Sequence, residues 1–221
     1  MGFETLVLAR EETFAIVTLN RPPANAISEP LIRELNDALN SVRDDDAVRS
    51  VIITGAGDKI FCGGADLGSA FSGGDVEAFI RFGNSVMRKI ERFGKPVIAA
   101  INGHAMGGGM EIAMACHFRL MKETARMGQT ESNLGIIPGY GGTQRLPRLI
   151  GRTKALARQL GKRAPLATAA IIRAVDEGLE APMAKSIDIE LEAFMPTLRS
   201  EDAAEGIQAF FGKREAQFKG R

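Results

Sequence analysis

Between the apolar run Pro96-Val-Ile-Ala-Ala-Ile101 and the apolar stretch Met110 to Cys116 stand three consecutive glycines, Gly107-Gly-Gly109. A buried strand that passes through such a turn into a helix is a building unit of α/β chains, and it leaves N–H groups at the helix start with no acceptor inside the helix. A second turn of the same kind, Phe61-Cys-Gly-Gly-Ala-Asp-Leu67, follows the short strand expected over Val51-Ile-Ile-Thr54 and the bend Gly55-Ala-Gly57. One glycine turn by itself is most often only a tight bend or a close approach of strand to helix. Neither turn is a phosphate loop, because no Gly-Lys-Ser/Thr follows and no G-x-G-x-x-G opens a helix in a βαβ unit.

The rest of the chain supports the same class. Phe14-Ala-Ile-Val-Thr-Leu19 reads as a strand and Asn20 to Asn25, with two prolines, as a turn. Ser28-Glu-Pro30 opens a helix, a serine cap with proline in the first turn, and Leu31, Leu35, Leu39 and Val42 continue it at helical spacing. Asp75 to Phe93 is expected to be helical with Phe79, Phe82, Val86 and Ile90 on the inward face. From about Thr153 strand signals vanish and Ala, Leu, Glu, Lys and Arg dominate, which predicts a helical tail. The expected organisation is an α/β core over residues 1–150 and a helical region over 151–221. The recurrence of strand, glycine turn and helix suggests stacked similar units, although no exact repeat is visible.

Composition narrows the function classes. A formal charge of +1 gives no electrostatic footprint for nucleic acid. Cys62 and Cys116 are too few for a disulfide scaffold and lack metal-ligand spacing, which favours a reducing compartment. The first residues contain no long apolar run and Val97 to Ile101 is far too short to span a membrane, so the expectation is a soluble, cytoplasmic protein.

Two carboxylates accompany the glycine turns. Glu111 lies within the apolar stretch Met110 to Cys116, where an ionisable group is costly to bury without a task or a partner. A structural ion pair explains such a residue about as often as chemistry does. Glu131 lies in a polar stretch and by default is a solvated surface residue. His104, His117 and Tyr140 have no partner at a catalytic spacing, and Cys62 is best read as a small buried hydrophobe. Free backbone donors and two carboxylates are the parts needed to stabilise an enolate and move a proton beside it, which predicts an enzyme.

Taken together the motifs resemble the enoyl-CoA hydratase/isomerase family, the crotonase-fold acyl-CoA enzymes. The resemblance runs through Thr18-Leu-Asn-Arg-Pro22, Phe61 to Leu67, Lys95 to Gly103, Gly107-Gly-Gly-Met-Glu111, Pro138-Gly-Tyr-Gly-Gly-Thr-Gln-Arg-Leu146 and Glu201 to Arg214, which is most of the chain. It implies a crotonase-like spiral of repeated strand-strand-helix units with a helical C-terminal region. It implies an acyl-CoA substrate, no metal and no cofactor apart from the coenzyme A carried by the substrate. It also implies a homotrimer or dimer of trimers with contacts near Ala203 to Phe218.

For the site, the resemblance implies that the amides of Ala65 and Gly108 hold the thioester oxygen, an oxyanion hole. Gly64, Asp66 and Leu67 then lie against the substrate, and the amide of Gly139 orients a water. Glu111 and Glu131 fall where hydrating members carry two glutamates that take a proton from that water and deliver one to Cα. Having both favours a hydratase over an isomerase or another acyl-CoA reaction on the same fold.

Three departures stand out. Thr130 replaces a proline that usually precedes the second glutamate, and His117 replaces a frequent aspartate. After Gly151-Arg-Thr-Lys-Ala-Leu156 a few dozen residues usual in the family are absent. An unrepresented segment predicts a break in the chain between about Leu156 and Ala164, whereas a true deletion favours a non-catalytic acyl-CoA-binding or assembly subunit.

Overall fold

The computed structural model describes residues 2–70, 75–150 and 164–221. The expected break between Leu156 and Ala164 lies outside the described residues, apart from Ala164 itself. Two compact units divide at Gly128 and Gln129. Composition puts the change near residue 150, where strand-forming residues thin out; packing changes earlier, where the last strand ends.

In the first unit, β1 (Leu6–Glu11), β2 (Phe14–Leu19), β3 (Ser50–Gly55), β5 (Val97–Ile101) and β7 (Phe118–Met121) form one sheet in that order. β1 is antiparallel to β2 and the other neighbours are parallel. A smaller parallel sheet contains β4 (Ile60–Cys62), β6 (His104–Met106) and β8 (Met127–Gly128). The chain alternates between the sheets: β3 leads to β4, β5 to β6 and β7 to β8. Before the first of these passes, β2 leads to a single parallel bridge between Ile27 and Ala65. This is the spiral of strand-strand-helix units that the family resemblance implies.

Asparagines fix the crossings between sheets. Asn102 donates through Nδ2 to the carbonyls of Gly55 and Gly57, both at 2.7 Å, and accepts from the Gly55 amide at 3.1 Å. Buried Asn25 donates to the carbonyls of Ala56 at 3.1 Å and Ile60 at 2.9 Å and accepts from the Arg21 amide. Each side chain satisfies backbone groups at the strand ends and in the bend that joins β3 to β4.

Helix α1 (Glu29–Arg43) starts at Ser28, whose hydroxyl accepts from the Leu31 amide, and buries Leu31, Ile32, Leu35, Leu39 and Val42. Each such side chain contributes roughly 1.5–3 kcal/mol when fully removed from water. A short helix, α2 (Leu67–Ala70), follows the first glycine turn, and α3 (Val76–Glu91) is capped by Asp75. The inward face of α3 is rotated from the expected one: Ile80, Val86, Met87 and Ile90 are buried, while Phe79 and Phe82 are only partly covered. Phe82 lies at the rim of the stripe beneath the Arg33 guanidinium, 5.1 Å from its ring centre, so a cation rather than the core covers its face. α4 (Gly108–Ala115) follows the second turn.

The second unit begins with a 3₁₀ turn, Glu131–Leu134, followed by α5 (Gly142–Ile150), α6 (Pro165–Leu179), α7 (Met183–Leu198) and α8 (Glu201–Phe211). Its described residues after 164 bear out the helical tail. Ala167, Ala174, Ile187, Leu191, Phe194, Ala203 and Ala209 form its apolar interior.

Candidate active site

The Ile27 bridge dictates which amides of the first glycine turn remain available. Ile27 donates to the Gly64 carbonyl at 2.8 Å and accepts from the Asp66 amide at 2.9 Å, while Gly63 donates to Ala24 at 2.8 Å. Backbone groups alternate in direction along an extended segment, so the Ala65 N–H is directed away from this bridge. Gly64 has φ +101°, and a Cβ built on it would lie 3.1 Å from the Met106 carbonyl oxygen and 3.6 Å from the Gly108 nitrogen. The first turn therefore packs directly against the start of the second.

At the second turn, the Gly107 amide is tied to Gly128 at 2.8 Å, and Glu111 donates back to Gly107 at 3.1 Å. Gly108 is the first residue of α4, ahead of the helical ladder, where the helix dipole adds positive potential. A Cβ on Gly109 would stand 2.2 Å from the Cys62 carbonyl oxygen, so only glycine permits α4 to start this close to β4.

Around these turns, Asp66 forms an ion pair with Arg21 at 2.5 Å and accepts from the Gly68 amide at 3.1 Å. Leu67 opens α2 and is partly covered. Glu111, on the first turn of α4, is 1% exposed. Burial pushes the Cys62 and Cys116 thiols up to about 12, as expected of packed hydrophobes. Both histidines serve the backbone: Nδ1 of His117 accepts from Val97 at 3.0 Å and that of His104 from Arg126 at 3.1 Å.

In the second unit, Glu131 is the first residue of the 3₁₀ turn and is half-buried, not the solvated residue that its polar surroundings suggested. Gln129, in the amide orientation that satisfies its neighbours, donates to both carboxylate oxygens of Glu131 at 3.2 and 2.9 Å. Desolvation by burial raises the Glu131 carboxyl to about 7, and the nearby charge of Glu190 acts in the same direction. Gly139 and Tyr140 are buried, and the Tyr140 carbonyl accepts from Arg145 at 2.8 Å.

Sequence reasoning missed Gln129 and Glu190. Glu190 had a readable signal: Asp188 and Glu192 point outward, whereas Glu190 shares the stripe of Ile187, Leu191 and Phe194. Among the described residues, no group of three His, Cys, Asp or Glu side chains is placed to hold a metal ion. No described helix is long and apolar enough to cross a membrane.

Comparisons with known proteins agree with this architecture. A crotonyl-CoA hydratase from Syntrophomonas wolfei is 37% identical over 257 aligned positions, covering 99% of both chains. A short-chain-enoyl-CoA hydratase from Clostridium acetobutylicum is 34% identical, covering the whole of both. Both alignments are longer than this chain, so the relatives carry residues that it lacks. The crystal structure of an enoyl-CoA hydratase from Bacillus anthracis superposes with a TM-score of 0.66 at 32% identity, covering 99% of this chain and 100% of that one. The family model for enoyl-CoA hydratase/isomerase matches residues 9–157. With two thirds of its length matched by that model and the spiral of paired strands in place, the chain belongs to the enoyl-CoA hydratase/isomerase family.

Proposed function

We propose that this chain is an enoyl-CoA hydratase that adds water across the 2,3-double bond of an acyl-CoA thioester. The observation that carries the reading is the packing of the Gly64 turn against the start of α4, with Gly64 beside the Gly108 nitrogen. In this reading the amides of Ala65 and Gly108 receive the thioester oxygen, which becomes an enolate oxyanion as the nucleophile adds at Cβ. Donors fixed before the reaction act most strongly on that developing charge.

Glu111 and Glu131 carry the proton transfers. One accepts a proton from the attacking water and the other delivers one to Cα. A carboxyl raised to about 7 exchanges protons readily near neutral pH, which suits Glu131 to such a step. Gly64, Asp66 and Leu67 border the substrate and Gly139 orients the water. Because Asp66 is paired with Arg21, it serves by fixing the turn rather than as a free charge. Coenzyme A enters as part of the substrate and no metal or redox cofactor takes part. A cytoplasmic homotrimer or dimer of trimers completes the reading.

The test is hydration of a series of short, long and aromatic 2-enoyl-CoAs, followed by loss of the conjugated thioester absorbance. Turnover of at least one, lowered about 10²-fold by Glu111→Gln and by Glu131→Gln, is the expected result; shift of the double bond without hydration would indicate an isomerase. A second reading, a non-catalytic acyl-CoA-binding subunit, is favoured by one observation, the residues that the relatives have and this chain lacks. It predicts CoA-ester binding without turnover.

A further inference from the structure

We propose that Glu190 is a positioning residue for the reaction, an inward carboxylate on α7 that clamps the Gly139–Thr143 turn and stands beside Glu131. The inference rests on the hydratase reading and adds to it a residue outside the catalytic pair.

Glu190 is 0% exposed. It accepts from the Gly141 amide at 2.5 Å, from the Thr143 amide at 2.8 Å and from the Thr143 hydroxyl. These donors lie at the N-terminus of α5, so a carboxylate from another helix does the work of an N-cap. Packing alone would be served as well by an apolar side chain, since burying a carboxylate costs desolvation that hydrogen bonds only partly recover. What the carboxylate adds is a rigid hold on the backbone two residues beyond Gly139 and, once ionised, a negative charge that acts on Glu131; burial raises the proton affinity of Glu190 as well, against the lowering effect of the Thr143 and Gly141 donors.

Among the charged groups of the elements around Glu190, Glu131 is the acid on which its charge acts. On α7, Asp188 and Glu192 are exposed on the opposite side. From α5, buried Arg145 acts on Glu190, while Arg148 is directed to Gln144, Gly178 and Ser186. On α6, Arg173 and Glu177 pair with each other at exposed positions. On α8, Asp202 is engaged by the amides of Lys219 and Gly220. From the 3₁₀ turn comes Glu131, whose proton affinity the charge of Glu190 increases beyond the larger effect of burial.

Glu190→Gln keeps the shape and removes the charge. The expected result is kcat lowered about 10-fold or more with KM little changed, the scale of a small misplacement near the reacting groups. The limb of the pH–rate profile that reports Glu131 should move to lower pH, because loss of a negative neighbour eases its ionisation. A purely structural role would lower Tm and leave that limb in place. A second measurement does not depend on turnover: titration of the carbon-13-labelled Glu131 carboxyl by NMR in the wild type, Glu190→Gln and Glu190→Asp. Glu190→Asp keeps the charge and withdraws the clamp, so Glu131 should titrate near its wild-type position while kcat falls. An unmoved Glu131 titration in Glu190→Gln would overturn the proposal. A wild type without hydratase turnover would defeat the functional reading alone, and the titration would still decide whether Glu190 acts on Glu131.

Discussion

Gly109→Ala separates the role of the two glycine turns from simple stability. The added Cβ would stand 2.2 Å from the Cys62 carbonyl oxygen and 2.8 Å from the Cys62 Cβ, whereas real Cβ atoms essentially never approach closer than 3.0 Å. Either the start of α4 or the end of β4 must therefore retreat by roughly 1 Å, since a packed interior has no free space to absorb the methyl group. Two opposing terms set the stability: overpacking costs about 1–3 kcal/mol, and alanine is better than glycine inside a helix by roughly 1 kcal/mol. The net loss is small, on the order of 1 kcal/mol, a modest fall in Tm. The effect on chemistry is larger, because a displacement of about 1 Å between the Ala65 and Gly108 donors is expected to cost about 10² in rate. The assay is kcat and KM on a 2-enoyl-CoA beside a thermal melt of the same preparation. Wild-type kcat/KM in Gly109→Ala would refute the claim that these turns must stay in close register.

The remaining expectations address other parts of the molecule. Glu111→Gln and Glu131→Gln should each lower kcat by about 10² while leaving affinity for a CoA ester nearly unchanged in a direct binding measurement. Glu131 binds its proton more tightly in the folded state than in an unfolded chain, where a glutamate ionises near 4.5. Its contribution to stability is therefore greatest below that pH and declines as pH rises toward about 7, a trend that denaturant melts across this range would reveal by comparison with Glu131→Gln. Asn25→Ala leaves the carbonyls of Ala56 and Ile60 without their donor and should cost about 1–3 kcal/mol, read as a lower denaturation midpoint. Both thiols should resist alkylation in the native protein at neutral pH and react fully once it is denatured, because burial raises Cys62 and Cys116 to about 12.

Much of the first unit was legible because its signals are local. The apolar runs Phe14 to Leu19 and Val97 to Ile101 are strands, and Ser28 caps α1 as its sequence suggests. The small sheet was not legible. β4 and β6 are three residues long and β8 is two, too short for any periodicity, and they become strands only by pairing with one another across long stretches of chain. The edge strand β1 also escaped notice, since its burial follows no regular alternation. In α3 the aromatic residues drew the stripe one position away from Ile80 and Met87, because size alone does not reveal which ring a cation will cover. In the candidate site the glycine turns could be read from sequence. The surroundings of Glu131 could not, because Gln129 lies in the same polar stretch and Glu190 comes from a helix about sixty residues later.

The most direct test of the account is the fate of one oxygen atom. The purified chain, with its intact mass confirmed near 23.7 kDa, is incubated with a 2-enoyl-CoA in water enriched in heavy oxygen. The account predicts a 3-hydroxyacyl-CoA that carries one labelled oxygen, formed much more slowly by Glu131→Gln. A bound but unchanged enoyl-CoA, or a product isomerised without label, would contradict it.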